Sequence, residues 1–506
     1  MDPLLSILPI AVLVIALAGF GLPAWCAALA AFAAGAVEAV FLSGLSIGAV
    51  AQHAAGGAST GLFPIGLVIV AALFAYALTV ESGAIADIKG GLSRLSGDRR
   101  FQALLIAWGF GGFMEGMAGF GTAVAIPCAI LVGIGFDPVK AVLCCLVANT
   151  TPTAFGSVGV PTMVLASEAG VDLSRLATTI AFLQMAATAL SPFLILAIVD
   201  GWRGVRECWR LAVVADVAFL AAWLAVAPFL GCELPNIVGG IAAMAAFAAL
   251  GDRRGIDLRR QAWAWMPFAF VVIALGFAAL LPPDRKISPG FVILAAAVAG
   301  GLCQGVRPTR IAAIAARTVL RYAPALFTIC AVLALAKVMR AAGMTQALAD
   351  ALVAATGRGY PAVSGIVGAL GGFVTGSGTS SNVLFGALQA SVGVGEAQKL
   401  LFAAANVMGA GIGKMVCPQS IVLGCAAAGL AGRERAVMVK ALGYFAVVLF
   451  VACLSVVVGF MAMAARPAEP LTRQGNCWYN AGETGEKVVA SGGKPFAMNT
   501  KMGFIR

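Results

Sequence analysis

Residues 109–122 read GFGGFMEGMAGFGT and residues 368–379 read GALGGFVTGSGT. Gly111-Gly112-Phe113 matches Gly371-Gly372-Phe373 at an offset of 260 residues. The same offset pairs Gly83 with Gly343 and Val132-Gly133-Ile134-Gly135 with Val392-Gly393-Val394-Gly395. Farther on, Asn149 pairs with Asn406 and Pro161 with Pro418, both at an offset of 257. Anchors in one order, with a single three-residue gap, mark an internal duplication. Each copy carries a glycine-rich interruption inside apolar sequence.

The surroundings decide what that interruption means. The chain has 506 residues, 61% of them hydrophobic and 11% charged, with a mean hydropathy of +0.98. A soluble protein of this length could not hide so much apolar surface, so the chain reads as an all-α polytopic membrane protein. Runs long enough to span, about 20 apolar residues each, recur along it. Inside hydrocarbon, irregular backbone is tolerated only where it is buried in protein or lines a polar cavity. Paired interruptions in corresponding halves therefore point to the binding site of a secondary transporter.

In chain order, the run from Leu4 to Gly21 lacks a basic leading segment and a small-residue cleavage site, so it reads as a first span. A second run follows Pro23. Residues 43–61, SGLSIGAVAQHAAGGASTG, read as a Gly-rich loop whose His53 is incidental, and 62–81 as the next span. Basic clusters follow at Lys89/Arg94/Arg99/Arg100, Arg203/Arg206/Arg210, Arg253/Arg254/Arg259/Arg260, Arg307/Arg310/Arg317/Arg321 and Arg433/Arg435/Lys440. The net charge of +11 lies largely there. Short basic loops between spans mark the cytoplasmic side, and no nucleic-acid partner is expected. With all five inside, the linker 282–286 falls outside. The first glycine-rich segment is then entered from the cytoplasm and the second from outside, so the two copies are expected to be inverted repeats.

This gives a division of the chain. Residues 1–101 are the N-terminal spans of the first copy, 102–167 its hairpin and broken helix, and 168–303 scaffold spans with the linker between copies. Residues 304–360 begin the second copy, 361–428 hold its hairpin and broken helix, 429–464 the last span, and 465–506 a polar tail expected to be disordered. The twelve cysteines form no CxxC and have no histidine partners. Free buried thiols are expected rather than a metal site.

Few residues are suited to chemistry. Glu115 lies in the first interrupted segment, where an acid at membrane depth normally faces a cavity or a partner and often handles protons. Capping of broken-helix amides is the structural alternative. Thr375 aligns with it in the second copy, and that asymmetry favours a coupling role. Asn149-Thr150-Thr151-Pro152-Thr153 reads as a second helix break, with Asn406 to Lys414 as its counterpart. A half-helix N-terminus there binds carboxylates. Ser377-Gly378-Thr379-Ser380-Ser381-Asn382 is a polar run that either contacts a substrate or caps the next helix. Lys414 is placed to meet an anionic substrate or Glu115, or to snorkel. Gln419 is a further donor. There is no nucleotide fingerprint and no Ser/His/Asp set, so no enzyme is expected.

GFMEGMAGFGTAVAI, LVGIGFDP and ANTTPTAFGSVGVP resemble the first-half signature of the lactate permease family. GSGTSSNVLFGALQ and NVMGAGIGKMVCPQSIVLG resemble its second half, and CELPNIVGG and AWMPF are similar to further landmarks. The resemblance covers about residues 4–460. It departs at Ala123, where many members have proline, at Thr151 and Met408, and in a longer 43–61 stretch. It implies an elevator-type transporter of the bacterial inner (plasma) membrane that imports L-lactate, and often D-lactate and glycolate, with protons and no cofactor. By that resemblance 102–167 and 361–428 form the transport domain. Glu115 is the expected proton carrier. Substrate contacts are expected from Thr122, Asn149, Thr150, Thr153, Ser377, Thr379, Ser380, Ser381, Asn382, Asn406, Lys414 and Gln419. Sodium coupling stays open, because carbonyls that ligate sodium look the same in sequence as carbonyls at a bend. A sodium-coupled or exchange-type organic-anion carrier is the alternative.

Overall fold

The computed structural model describes residues 3–251, 257–282, 285 and 287–464, with three short tail segments. The membrane part is helical. Among the described residues, seven helices are long and apolar enough to cross a bilayer, eight if one bent pair counts as a span. In the tail, 471–474, 477–480 and 487–488 pair as antiparallel strands. The rest of the expected disordered tail, and Pro283, Asp284 and Lys286 of the linker, lie outside the described residues.

The helices that matter for the site are α1 (Ala24–Phe41), α2 (Ile47–Thr60), α3 (Leu67–Glu81), α4 (Gly111–Met117), α5 (Thr122–Gly133), α6 (Pro138–Ala148), α7 (Gly156–Ala169), α8 (Met185–Leu230), α9 (Pro235–Leu250), α10 (Pro308–Ala341), α11 (Tyr360–Thr375), α12 (Gly378–Val392), α13 (Gly395–Gly413), α14 (Pro418–Ala427) and α15 (Glu434–Ala464). Polar residues between apolar runs start several helices of the chain. Asp98, Asp137 and Asp172 each accept a backbone N–H of the first turn, at 2.8, 2.9 and 2.8 Å. Each such cap is worth roughly 1 kcal/mol.

The two copies share local backbone. Gly83 and Gly343 both precede a helix in the left-handed region, at φ 80° and 77°. Gly135 and Gly395, which follow the two hairpins, do the same at φ 90° and 75°. In each copy a hairpin is followed by a helix that breaks near its middle. The hairpins are α4/α5 and α11/α12. The first break lies between α6 and α7, which meet at a 63° bend.

Several expectations need correction. Residues 43–61 are not a loop, since Ile47–Thr60 is helical. Ser46 caps it by accepting the Ala49 N–H at 3.1 Å. A Cβ at Gly57 would run into the backbone of Leu333 and Ala334, so the small residues let α2 lie directly on α10. The segments Gly111–Met117 and Tyr360–Thr375 are helical too, and the reversals come just after them, at 118–121 and 376–377.

The second break also shifts. Residues 406–413 stay helical, and the chain departs only at Lys414–Val416 and the extended Cys417 (ψ 130°) before Pro418. Proline disfavours helical geometry in the residue before it, which puts the break there. The glycines at 409, 411 and 413 are contact points instead. A Cβ on them would strike the carbonyl oxygens of Gly365, Thr150 and Ala369. Finally, Arg203, Arg206, Arg210, Arg310, Arg317 and Arg321 sit on helices rather than loops.

Candidate functional site

The hairpin tips and both breaks converge on one place. Glu115, in the last turn of α4, is 3% exposed. Its Oε1 accepts from Lys414 Nζ at 3.1 Å and its Oε2 from Asn149 Nδ2 at 2.9 Å. Lys414 also donates to Thr153 Oγ1 at 3.1 Å, and Thr153 donates to the Asn149 carbonyl at 2.8 Å. An acid of the first copy is thus paired with a cation of the second, through two polar side chains of the first break.

Local backbone makes room for this pair. A Cβ at Gly156 would lie 2.8 Å from Glu115 Oε1 and would displace that carboxylate. Beside it, Ser157 and Val158 take left-handed φ values of 45° and 56°. Such conformations cost about 1–3 kcal/mol each and persist where surrounding structure fixes them. Ser157 Oγ helps by donating to the Ala118 carbonyl at 3.1 Å, tying the break to the hairpin tip.

A cavity of about 150 Å³ opens beside the pair. Glu115, Asn149, Thr153, Ser377, Thr379, Ser380, Lys414 and Gln419 line it. The first turns of α12 and α14 and the Gly121 start of α5 also reach it, and first-turn amides carry the positive end of the helix dipole. Ser377 is the side-chain cap of α12, accepting the Ser380 N–H at 3.2 Å. The opposite wall comes from α1 and α10, through Ala24, Ala325, Thr328 and Ile329.

The remaining sequence candidates are held in the framework and do not line the cavity. Thr122 and Thr150 donate to nearby carbonyls of Gly119 and Val147, at 2.7 and 2.8 Å. Ser381 Oγ donates to the Gly368 carbonyl at 3.3 Å. Asn382 donates to the Pro161 carbonyl at 2.8 Å and accepts from Asn406 at 2.9 Å, while Asn406 accepts from Gln389 at 3.2 Å. This buried network joins α7, α12 and α13 across the two copies.

Other features are unexpected. Glu115 is not the lone acid inside the membrane helices, because Glu38, Glu168 and Asp216 are also buried there. Glu168 pairs with Arg340 at 2.6 Å. Among the described residues, the carboxylate oxygens of Glu38 and Asp216 have no hydrogen-bond partner. A lone acid in the apolar run LAVVADVAFLAAWLAV is the signal that finds Asp216. Asn236 donates to the Pro152 carbonyl and so buttresses the first break.

Comparison with known proteins agrees with the motifs. The model of a family described as L-lactate permease matches residues 2–254 and 270–463. The L-lactate permease of Streptococcus iniae is 34% identical over 371 residues, covering 66% of this chain and 78% of that protein. Glycolate permease GlcA of Escherichia coli is 32% identical over 515 residues, covering 86% and 91%. Among solved structures, the Alcanivorax borkumensis YdaH transporter aligns at 17% identity and a TM-score of 0.45, covering 82% of this chain and 88% of that one. The chain, a multi-pass plasma-membrane protein, belongs to the L-lactate permease family.

Proposed function

We propose that the protein is a proton-coupled symporter that imports lactate, glycolate and related small 2-hydroxymonocarboxylates. The observation that carries this reading is the buried Glu115–Lys414 pair at the edge of a cavity reached by three helix starts. A buried ion pair is often no more stabilising than an apolar pair of similar volume, so its presence calls for a role. The relatives are named for L-lactate and glycolate.

The pair supplies a coupling scheme. In the substrate-free state Glu115 is ionised and neutralises Lys414. A proton arriving on Glu115 frees the ammonium, which then holds the substrate carboxylate together with the α12 and α14 helix starts. In this scheme Thr379, Ser380 and Gln419, which line the cavity, satisfy carboxylate and hydroxyl oxygens. An anion without the proton would put two negative charges beside one cation. A proton without the anion would leave the ammonium unpaired in a buried site. Each half-loaded state is costly, and that links the two fluxes.

We further propose that the duplication is inverted and that 102–167 and 361–428 move as one transport unit against α1 and α10. Support comes from which pieces meet. The first hairpin lies against α14 of the second copy, with Cys128 Sγ donating to the Gly424 carbonyl at 3.7 Å. The second hairpin lies against α7 of the first, through Asn382 and Pro161. Residues 235–250 fit the hairpin so closely that a Cβ at Gly240 would sit 2.6 Å from Phe113 N, so this segment travels with the unit. A sodium-coupled or exchange-type carrier is the alternative.

The test is uptake of labelled L-lactate and glycolate into liposomes holding the purified protein. An inward proton gradient without sodium is expected to drive accumulation. Accumulation only with a sodium gradient would transfer the scheme to sodium, and no uptake under any gradient would sink the transport reading.

A further inference from the structure

Resting on the proposed function, the inference concerns the side of the cavity that the coupling scheme leaves unused. The charged and amide side chains that line the cavity sit on the hairpins and breaks, whereas α10 and α1 contribute Ala325, Thr328, Ile329 and Ala24. Thr328 is the one polar residue of these four, and its hydroxyl donates to the Pro324 carbonyl of its own helix at 2.8 Å. The hydroxyl proton is therefore committed. Ala325 and Ile329 are four residues apart and share one face of α10.

A 2-hydroxymonocarboxylate anchored by its carboxylate and hydroxyl on the charged and amide side chains leaves its C2 hydrogen or alkyl group free to face the uncharged side of the lining. We infer that the α10 face made by Ala325 and Ile329 selects the substrate by the size and polarity of that substituent. The wall offers no donor to a buried carboxylate, so acids carrying a second carboxylate are rejected by desolvation. Hydrogen or methyl fits, and longer alkyl groups meet Ile329, which is only 4% exposed. Apolar pockets discriminate by about 10- to 200-fold per methylene, and that sets the size of effect to look for. Because this wall lies on helices outside the proposed transport unit, selection acts in the state in which the cavity faces them.

The experiment is competition against labelled L-lactate uptake by glycolate, unlabelled lactate, 2-hydroxybutyrate and malate. Wild type is compared with Ala325→Val, Ile329→Val and Ile329→Ala. Ratios between competitors are read, so a lower yield of folded variant does not matter. Ala325→Val is expected to raise the preference for glycolate over lactate about tenfold, and Ile329→Ala to raise that for 2-hydroxybutyrate by a similar factor, with Ile329→Val between. Malate is expected to compete in none of them. Transport-competent variants with unchanged ratios would overturn the inference while leaving the transport reading intact. Wild type that takes up no 2-hydroxy acid would overturn the transport reading itself.

Discussion

The two hairpins share a Gly-Gly-Phe start and a glycine after the aligned Glu115 and Thr375, and they have opposite uses. In α4 the position before the reversal is Glu115, and it reaches across to Asn149 and Lys414. Its counterpart in α11 is Thr375, whose hydroxyl donates to the Gly371 carbonyl at 2.7 Å and accepts the Ser377 N–H at 3.2 Å. Thr375 serves its own turn, and Glu115 serves the site. The breaks reverse the assignment. At the offset of 257, Lys414 of the second copy matches Ser157 of the first, and Ser157 is uncharged, donating to the Ala118 carbonyl. Duplication supplied two equivalent frames. One copy contributes the acid, the other the cation, and each keeps a hydroxyl where the other has a charge.

If that division is right, the copies respond unequally to equivalent changes. The largest effect is expected at Lys414→Met, which leaves Glu115 buried and unpaired. Breaking such a pair costs about 3–5 kcal/mol, so thermal stability should fall and uptake should be lost. Adding Glu115→Gln should recover most of the stability without transport. Ser157→Ala, at the matching position, should retain uptake.

Next come the glycines. Gly409→Val and Gly413→Val force a side chain against the Gly365 and Ala369 carbonyls and should cost about 3 kcal/mol or more, read as loss of monodisperse protein. Gly133→Ala and Gly443→Ala, where a Cβ meets nothing within 4 Å, should be tolerated. A smaller change is expected at Ser377→Ala, about 1 kcal/mol from the lost cap and visible as a modest drop in melting temperature.

The smallest concerns the exposed ion cluster at the first hairpin's entry. Hydrogen bonds from Arg100 hold Asp98 below the ordinary carboxylate range, and Arg100 and Arg203 also pair with Glu207. The contribution of Asp98 is present above the ordinary value of about 4 and is lost as pH falls through its lowered folded value. Between pH 5 and 8 the melting temperature of Arg100→Ala should therefore track wild type within a few degrees. A pH dependence of transport in that window then belongs to the site and not to this cluster.

How much of this was legible without coordinates follows the kind of force involved. Gly83 and Gly343, and Gly135 and Gly395, were readable as repeats because one backbone conformation demands the same residue in both copies. Glu115, Asn149, Thr153 and Lys414 were readable because polar groups at membrane depth are rare. Helix α2 was not, since its Gly, Ala and Ser residues give a weak apolar signal and its stability comes from contact with α10. The second break was misplaced because glycine serves equally to bend a helix and to let another helix approach. Pro418 carried the correct signal, and the glycines of Asn406–Lys414 drew attention away from it. Thr122, Thr150, Ser381, Asn382 and Asn406 match Ser377 or Thr379 in polarity. Only geometry separates hydroxyls and amides bound into the framework from those facing a cavity.

The central claim is that protonation of Glu115 releases Lys414 for the substrate. It is tested most directly by comparing two modes of L-lactate transport in Glu115→Gln liposomes. Glutamine keeps the shape of the protonated acid, so exchange of external labelled lactate for internal unlabelled lactate should persist. Accumulation driven by an inward proton gradient should vanish. Accumulation at the wild-type level in Glu115→Gln would contradict the account and move the coupling proton to another group.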